Sequence, residues 1–370
     1  MNVLILTAST GGGHIRTSNA LKKYFMEKEE NVDVKVVDTF KYINPLLDKT
    51  VTNGYVYLAK KTPKLYGKLY RLSNDKATVN SYVNKLNKIF AKKLLPLIKE
   101  FDPQIILTTH PFSTEMIAYL KEKGKISVPL VCVMTDYGAH SAWIMENVDA
   151  YVVSNDDMIQ EMVKIGVSRE KIHSFGIPID NDFYDEENIK EYRNDVNCNH
   201  HKKVVLMMAG SFGVKNILKI YKDIIDIDYD FELIIITGKN KKLYEKFKET
   251  IDQTKKDTKL IYFTDEIVKY MKSADMIITK PGGLTVTEAL ACNTPLVIFD
   301  AIPGQEEKNA EFLVKNNMAV RLISNDDSIR KTIEQLLKDD DLLNSMKKSC
   351  ESFDKSKSCE NIFGLIKEID

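Results

Sequence analysis

A histidine at the end of a glycine run could act as a general base. His14 closes the run Gly11–His14, which follows the apolar segment Val3–Thr7 and precedes a predicted helix beginning near Ile15. Glycine lets a backbone approach a ligand closely, and an imidazole takes up protons near neutral pH. The run lacks the Gly-Lys-Ser/Thr of a P-loop, and Arg16 stands where the dinucleotide fingerprint has its third glycine. These residues alone leave a tight turn and a catalytic loop both open.

A second group of candidate proton carriers follows an apolar run that ends at Met134. Asp136, His140 and Trp143, the only tryptophan of the chain, lie within one short segment. Carboxylate and imidazole groups are the usual carriers of protons in catalysis. An ordinary loop with a core tryptophan is the alternative. His110 follows another apolar run and ranks below the other two histidines.

A turn of small residues in the second half of the chain predicts a diphosphate site. Pro281–Thr285 follows the apolar run Met276–Thr279 and leads into a predicted helix. The free N–H groups and the positive dipole end of a helix N-terminus stabilise a diphosphate without a metal ion. Glu288, about one turn later, could accept hydrogen bonds from a ribose diol or could be an ordinary first-turn acid. Ala209–Gly213, after the first strand of this half, would also permit close approach of a ligand.

Polar side chains that suit sugar hydroxyls follow the next apolar run. Gln305 and Asn309 are four residues apart, so a helix would place both on one face, next to Glu306. The cluster Cys198–His201 could be half of a metal site, but no second ligand pair follows, and a polar linker is favoured. The sequence thus predicts neither a metal ion nor a cofactor.

These candidates follow short apolar runs that alternate with amphipathic stretches. The runs are Val3–Thr7, Val34–Val37, Ile105–Thr108, Leu130–Met134, Tyr151–Val153, Val204–Ala209, Leu233–Thr237, Leu260–Phe263, Met276–Thr279, Leu296–Phe299 and Ala319–Leu322. Continuous apolar strands are typical of parallel sheets covered on both faces. The alternation, repeated twice, predicts an α/β protein of two doubly wound domains that face each other across a cleft, with ligands at the strand ends.

The composition shifts once along the chain, and this shift predicts the domain boundary. Residues 181–202 are polar and rich in acids, which indicates a linker. We therefore expect a first domain over residues 1–180 and a second over residues 203–345. Residues 346–370 are predicted to form a C-terminal helix that packs back on the first domain.

The bulk properties fit a globular protein of two domains. The chain has 370 residues, 44% hydrophobic and 29% charged, with a formal net charge of zero. Its five cysteines are scattered without a Cys-x-x-Cys pair, as expected of reduced cytosolic thiols. We expect neither a signal peptide nor a membrane span, because no apolar run approaches the roughly 20 residues that a span requires.

One segment departs strongly from the neutral average. Residues 60–99 contain eleven Lys or Arg and a single Asp, interleaved with tyrosine, phenylalanine and leucine. Anionic lipid attracts such basic groups, and aromatic rings favour the headgroup level of a bilayer. A solvated helix face is the main alternative, and no RNA- or DNA-binding module is visible, so we expect no nucleic-acid partner. The segment predicts docking on an anionic membrane surface.

Taken together, these motifs resemble those of the diacylglycerol glycosyltransferases of glycosyltransferase family 28. The resemblance rests on Gly-Gly-Gly-His, Thr-Asp-x-x-x-His-x-x-Trp, Pro-Gly-Gly-Leu-Thr-Val-Thr-Glu and Pro-Gly-Gln-Glu-x-x-Asn, which occur in the order of the family over nearly the whole chain. It implies a GT-B fold, with the acceptor bound by the first domain and the UDP-sugar by the second.

The resemblance also implies residue roles. His14 would be the catalytic base. The acceptor side would comprise Gly12, Gly13, Asp136, His140 and Trp143. The UDP-sugar would be bound by Gly210, Ser211, Gly213, Ile267, Pro281, Gly282, Gly283, Thr285, Glu288, Gln305, Glu306 and Asn309. In that set the glycine-rich segments would cradle the diphosphate, Glu288 the ribose, Gln305 and Glu306 the sugar, and the backbone near Ile267 the uracil.

The implied activity is metal-independent, inverting transfer of glucose from UDP-glucose to diacylglycerol at the cytoplasmic face of the membrane, by a peripheral protein. Three consecutive glycines are typical of the plant monogalactosyldiacylglycerol synthases, whereas Pro-Gly-Gln-Glu favours the bacterial glucosyl enzymes. UDP-galactose as donor, transfer of N-acetylglucosamine to another lipid-linked acceptor, and a UDP-sugar-binding regulator without turnover stay open. A Rossmann dehydrogenase is the weakest alternative.

Overall fold

The computed structural model describes residues 1–9, 12–44, 88–185, 189–208, 215–252, 256–299, 301–322 and 328–369. The chain divides into two compact units. The first comprises Met1–Asn181, Ile302–Lys308 and Lys355–Asp370, and the second comprises Asp182–Ala301 and Asn309–Asp354.

Twelve strands form two parallel sheets within the described residues. They are β1 (Asn2–Thr7), β2 (Asp33–Asp38), β3 (Ile105–Thr108), β4 (Leu130–Val133), β5 (Ala150–Val152), β6 (Ile172–His173), β7 (Lys203–Met208), β8 (Phe231–Ile236), β9 (Thr258–Ile261), β10 (Met276–Thr279), β11 (Leu296–Ile298) and β12 (Ala319–Arg321). The strand order is β2-β1-β3-β4-β5-β6 in the first unit and β12-β11-β10-β7-β8-β9 in the second.

Helices connect these strands. They are α1 (Gly12–Lys28), α2 (Thr39–Ile43), α3 (Leu95–Phe101), α4 (Pro111–Glu122), α5 (Asp157–Lys164), α6 (Ile189–Asp195), α7 (Lys215–Ile225), α8 (Lys241–Ile251), α9 (Ile267–Ser273), α10 (Gly283–Ala291), α11 (Gln305–Lys315), α12 (Ser328–Lys338), α13 (Asp340–Ser352) and α14 (Ser358–Ile369). Single 3₁₀ turns lie at Lys92–Leu94, Ser141–Trp143, Arg169–Lys171 and Asn181–Phe183.

The first sheet is covered on both faces. Leu4 and Leu6 of β1 point into one apolar cluster, and Val3 and Ile5 point into another, as the alternation along a strand requires. The second cluster includes apolar side chains of α14, among them Ile362, so this helix packs within the first unit. Burial on both faces explains why the strands are apolar without interruption.

The second unit repeats this plan around β7, with its own buried core. The two doubly wound α/β units confirm the predicted fold class. The predicted strands are all present within a few residues, and β6 is additional, because a two-residue strand leaves no apolar run to find. The segment predicted as a linker contains α6, whose Tyr192 is buried. The single C-terminal helix predicted for residues 346–370 is wrong, because this range contains the end of α13 and, after a break, α14.

Candidate active site

His14 lies in the first turn of α1, next to the carboxyl end of β1. In the first sheet, β2 lies on one side of β1 and β3 lies on the other side. The direction in which successive strands are added therefore reverses between β1 and β3. Ligands of open α/β sheets bind at such switch points. Thr109 and His110 follow β3, and both contact His14. The fold therefore brings His14 to the position in the first unit where a ligand is expected.

The hydrogen bonds of His14 define which ring nitrogen carries the proton. Its Nδ1 lies 2.7 Å from the carbonyl oxygen of Thr109 and 3.0 Å from the hydroxyl oxygen of Thr135. A carbonyl oxygen only accepts hydrogen bonds, so Nδ1 must donate. In the neutral ring Nε2 then carries the lone pair, which is the arrangement that a base needs.

The surroundings of His14 also keep its ring neutral. The ring of His110 packs against it edge-on, with centroids 4.8 Å apart, and the Trp143 ring lies 6.3 Å away. Burial lowers the pKa of His14 to about 4, an effect that the hydrogen bond to Thr109 partly opposes. The imidazole is therefore unprotonated at neutral pH.

We expect His14 to titrate with a midpoint near pH 4 and to hold its proton on Nδ1 at pH 7, because burial disfavours the charged ring and the Thr109 carbonyl selects the tautomer. Imidazole ¹⁵N chemical shifts, followed from pH 3 to 8, would measure both. The resonance is assigned by its loss in a His14→Gln variant. A midpoint near 6.5, or a proton on Nε2, would contradict the assignment.

Three residues near His14 were missed or undervalued by sequence reasoning. Thr109 and Thr135 hold the His14 ring by hydrogen bonds. Thr109 directly follows β3 and Thr135 lies two residues after the end of β4, and this position after a strand could have indicated both. His110 ranked low, yet it is the nearest aromatic neighbour of His14 among the contacts described. Burial, and then proximity to His14, lowers the pKa of His110 well below its usual value.

The loop after β4 holds the other predicted residues of this unit. Asp136, His140 and Trp143 are all buried. The indole Nε1 of Trp143 donates to Asp136 at 3.2 Å, and the His140 ring accepts from the backbone N–H of Ala142 at 3.1 Å. Burial raises the pKa of Asp136 to about 6, against hydrogen bonds from Gln305 and Trp143 that lower it. Trp143 thus connects the loop to His14.

Two segments surround these groups. Gly12 and Gly13 are the first helical residues before His14, and space around Gly12 is open: a Cβ there would meet no atom within 4 Å. Gln305 begins α11 and donates from Nε2 to Asp136, within the same unit. The neighbouring Glu306 accepts from the backbone N–H of Ile302 at 2.7 Å, which fixes the turn before α11.

In the second unit, the predicted diphosphate turn occupies the corresponding switch point. Here the sheet order reverses between β7 and β10, and Pro281 and Gly282 connect β10 to α10. Gly282 caps the helix in an extended conformation, and no side chain caps the first turn at that residue. The N–H groups at the start of α10, including that of Thr285, therefore suit an anion.

Two buried polar residues belong to this turn and its helix. Glu288 lies in the second turn of α10 and is 1% exposed. Asn309 is fully buried, and its Nδ2 donates to the carbonyl oxygen of Pro281 at 2.9 Å. Asn309 thus holds the backbone of the turn in the structure, while a contact of its side chain with a sugar stays a prediction.

Four further residues were predicted for the UDP-sugar site. Ile267 is the first residue of α9 and is partly buried. Gly210, Ser211 and Gly213 lie outside the described residues. Within the described ranges, no group of three or more His, Cys, Asp or Glu side chains could hold a metal ion. No helix in those ranges is both long and apolar enough to cross a membrane.

Two known families match successive parts of the chain. The family described as monogalactosyldiacylglycerol (MGDG) synthase matches residues 14–179. The family described as glycosyltransferase family 28 C-terminal domain matches residues 204–362.

Curated relatives match over almost the full length. A protein of Bacillus pumilus named processive diacylglycerol β-glucosyltransferase is 31% identical over 369 residues, which cover 99% of this chain and 94% of the relative. Proteins of the same name from Bacillus licheniformis and Bacillus subtilis are 30% identical, over 98% and 99% of this chain and 93% and 95% of their own lengths.

Solved structures share the fold at low sequence identity. MurG of Acinetobacter baumannii superposes with a TM-score of 0.69 at 13% identity, over 99% of both chains. Anabaena HepE in complex with UDP-glucose gives 0.58 at 14% identity, over the full length of both. The fold and the family matches define a GT-B glycosyltransferase. The chain belongs to the diacylglycerol glycosyltransferases of glycosyltransferase family 28, and it is a UDP-sugar-dependent hexosyltransferase.

Proposed function

We propose that the protein transfers glucose from UDP-glucose to the hydroxyl of 1,2-diacylglycerol and forms β-glucosyl-diacylglycerol. The observation that carries this proposal is the neutral His14, whose Nδ1 is hydrogen-bonded to the Thr109 carbonyl, so that Nε2 has the lone pair of a general base. The names of relatives that match 98–99% of the chain support glucose as the transferred sugar and diacylglycerol as the acceptor.

The chemistry is a single displacement. Nε2 of His14 takes the proton of the acceptor hydroxyl while the hydroxyl oxygen attacks the anomeric carbon, and the bond from that carbon to UDP breaks. Attack from the face opposite the leaving group converts an α-linked donor into a β-glycoside. The N–H groups and dipole at the start of α10 stabilise the charge that develops on UDP, without a metal ion or another cofactor.

One observation supports a different sugar donor as the alternative. The family that matches residues 14–179 is described as monogalactosyldiacylglycerol (MGDG) synthase, so UDP-galactose is the alternative sugar donor. Glucose and galactose differ only in the orientation of one hydroxyl. The full-length relatives at 30–31% identity favour glucose, and their names also suggest that further sugars are added to the first product.

In the test, purified protein is incubated with diacylglycerol in anionic vesicles and with radiolabelled UDP-glucose or UDP-galactose. The lipids are then separated by thin-layer chromatography. We expect a labelled glycolipid from UDP-glucose, and a ladder of products if transfer is processive. A product formed only from UDP-galactose would mean that UDP-galactose, and not UDP-glucose, is the donor. A parallel reaction offers UDP-N-acetylglucosamine with another lipid-linked acceptor, and a product there alone would replace both substrates. UDP-sugar binding without any product would favour a regulator.

Docking of the protein at the cytoplasmic face of an anionic membrane is part of the proposal. Most of the basic segment 60–99 lies outside the described residues. In its described part, Lys88, Lys92 and Lys99 are exposed while Leu94 packs into the core, and Ile89 is 62% exposed. An exposed row of lysines beside an apolar side chain supports membrane docking, and it also fits a solvated helix face.

Replacing Lys88, Lys92 and Lys99 together by glutamine is expected to weaken binding to anionic vesicles about 100-fold. Each basic group near an anionic surface contributes roughly 1 kcal/mol, and about 1.4 kcal/mol corresponds to a factor of ten. Vesicle co-sedimentation measures the effect. The control changes three exposed lysines of α8 to glutamine, Lys242, Lys246 and Lys248, with the same loss of charge. Equal weakening by both triples, or equal binding to neutral vesicles, would contradict docking through this segment.

A further inference from the structure

The side chain of Asp136 is turned towards two N–H donors of the protein. Its Oδ2 accepts from Trp143 Nε1 at 3.2 Å, and its Oδ1 accepts from Gln305 Nε2. Asp136 is 4% exposed, so its carboxylate is largely removed from solvent. A buried carboxylate that accepts one hydrogen bond at each oxygen restrains the positions of both donors.

The backbone around Asp136 is itself held in place. Ser154 Oγ donates to the Asp136 carbonyl oxygen at 2.9 Å, and Asn155 Nδ2 donates to the Tyr137 carbonyl oxygen at 3.2 Å. Trp143 is buried beside His14. Asp136 is therefore held by contacts other than the one with Gln305, at its backbone and through the Trp143 indole.

The first turn of α11, which carries Gln305, contacts the loop after β4 at Gly138 and contacts α5 at Glu161. Lys308 packs on Gly138 so closely that a Cβ at Gly138 would lie 2.9 Å from the Cβ of Lys308. Lys308 Nζ also lies 3.9 Å from Glu161 Oε1, and Glu161 Oε2 accepts from the backbone N–H of Ala139 at 2.7 Å. These residues all belong to the first compact unit, so the start of α11 is seated on the loop after β4.

A primary amide donates at one end and accepts at the other, and the two orientations differ little in shape. A carboxylate partner accepts only from the NH₂ end. We propose that Asp136 is a positioning residue, held by Trp143, that fixes the orientation of the Gln305 amide for recognition of the donor sugar. This inference rests on the proposed function in one respect, the contact of Gln305 with the sugar, and it assigns Asp136 to the donor, whereas the sequence predicted an acceptor-side role.

The Asp136→Asn variant tests the inference because asparagine has one side-chain oxygen for two donors. Its NH₂ group must then oppose either the indole of Trp143 or the amide of Gln305. We expect UDP-glucose affinity, measured by calorimetry, to fall about 10- to 100-fold, the range of a charge-assisted hydrogen bond. The affinity for UDP is expected to stay within about twofold, since UDP lacks the sugar.

The Trp143→Phe change supplies a rescue that a general structural defect would not show. Phenylalanine removes the indole donor and retains an aromatic ring, so in the double variant the single oxygen of the introduced asparagine can accept from Gln305. We expect Asp136→Asn with Trp143→Phe to bind UDP-glucose more tightly than Asp136→Asn alone. The Trp143→Phe single variant completes the cycle, and thermal unfolding of all three monitors the fold.

The inference is overturned if Asp136→Asn keeps wild-type affinity for UDP-glucose, if it loses UDP and UDP-glucose equally, or if Trp143→Phe deepens the loss. If Asp136→Asn raised only the KM for diacylglycerol and left the affinity for UDP-glucose intact, Asp136 would have the acceptor-side role that the sequence predicted. Calorimetry needs no acceptor, so failure of the wild-type protein to form a glycolipid refutes the proposed acceptor and leaves this test intact. Equal affinity of the wild-type protein for UDP and UDP-glucose would overturn the inference itself.

Discussion

A His14→Ala variant is expected to lose about 10²–10⁴-fold in kcat, the usual cost of removing a general base. His14 can take up a proton at Nε2, because Nδ1 donates to the Thr109 carbonyl oxygen and the ring is neutral at pH 7. The affinity for UDP is expected to stay unchanged, because no part of the proposed nucleotide site includes this imidazole. Initial rates of glycolipid formation at saturating donor and acceptor, together with calorimetry of UDP, measure the two quantities.

The matched control is His201→Ala, which removes an exposed imidazole in the second unit. Its kcat is expected to equal that of the wild-type protein. If His14→Ala retained full kcat, His14 would not be the base, and His110, which packs against it, would be the next candidate. A loss of UDP affinity in His14→Ala would instead indicate that the ring supports the nucleotide site.

A Gly282→Ala variant is expected to lose about 10²-fold in kcat/KM for the UDP-sugar. Gly282 has φ −70° and ψ 134°, which any residue can adopt, and an added Cβ would meet no protein atom within 4 Å. The protein should therefore fold normally. A diphosphate that approaches the backbone at the start of α10 would be displaced by the methyl group, and displacements of about 1 Å cost on the order of 10²-fold.

Gly364→Ala on α14 is the control for this variant, because its Cβ would likewise meet nothing within 4 Å and it lies on a helix of the first unit. Thermal unfolding is expected to show both alanine variants folded, and steady-state kinetics with varied UDP-sugar separates them. Wild-type kcat/KM in Gly282→Ala would mean that the diphosphate does not approach this turn closely.

The sequence predicted the strands well for a physical reason. A strand covered on both faces buries every side chain, so β1, β3 and β10 appear as uninterrupted apolar runs with no need for a partner to be known. The two-residue strand β6 leaves no such pattern. Residues 346–370 were predicted as one helix, but the structure has a break between α13, which ends at Ser352, and α14, which begins at Ser358.

The sequence also indicated candidate residues at predicted strand ends. Residue type and position predicted a diphosphate site at the turn of Gly282, whereas at His14 they left a tight turn and a catalytic loop both open. The role of His14 as the base came from the resemblance to the family. The places of His14 and of the Gly282 turn at the two switch points follow from strand order, which the sequence does not specify. Asn309 was selected for its amide, but the structure shows that this amide holds the Pro281 carbonyl.

By itself, then, the sequence determined two doubly wound α/β units, the family and the candidate base, because apolar runs and compact motifs are local properties of the chain. The tertiary structure decided the state of each candidate group. The tautomer and pKa of His14 depend on Thr109 and on burial, and the hydrogen bond that Asp136 accepts comes from Gln305, 169 residues away. Electrostatic environment and long-range hydrogen bonds arise only when distant segments are packed together, so no local pattern could have predicted them.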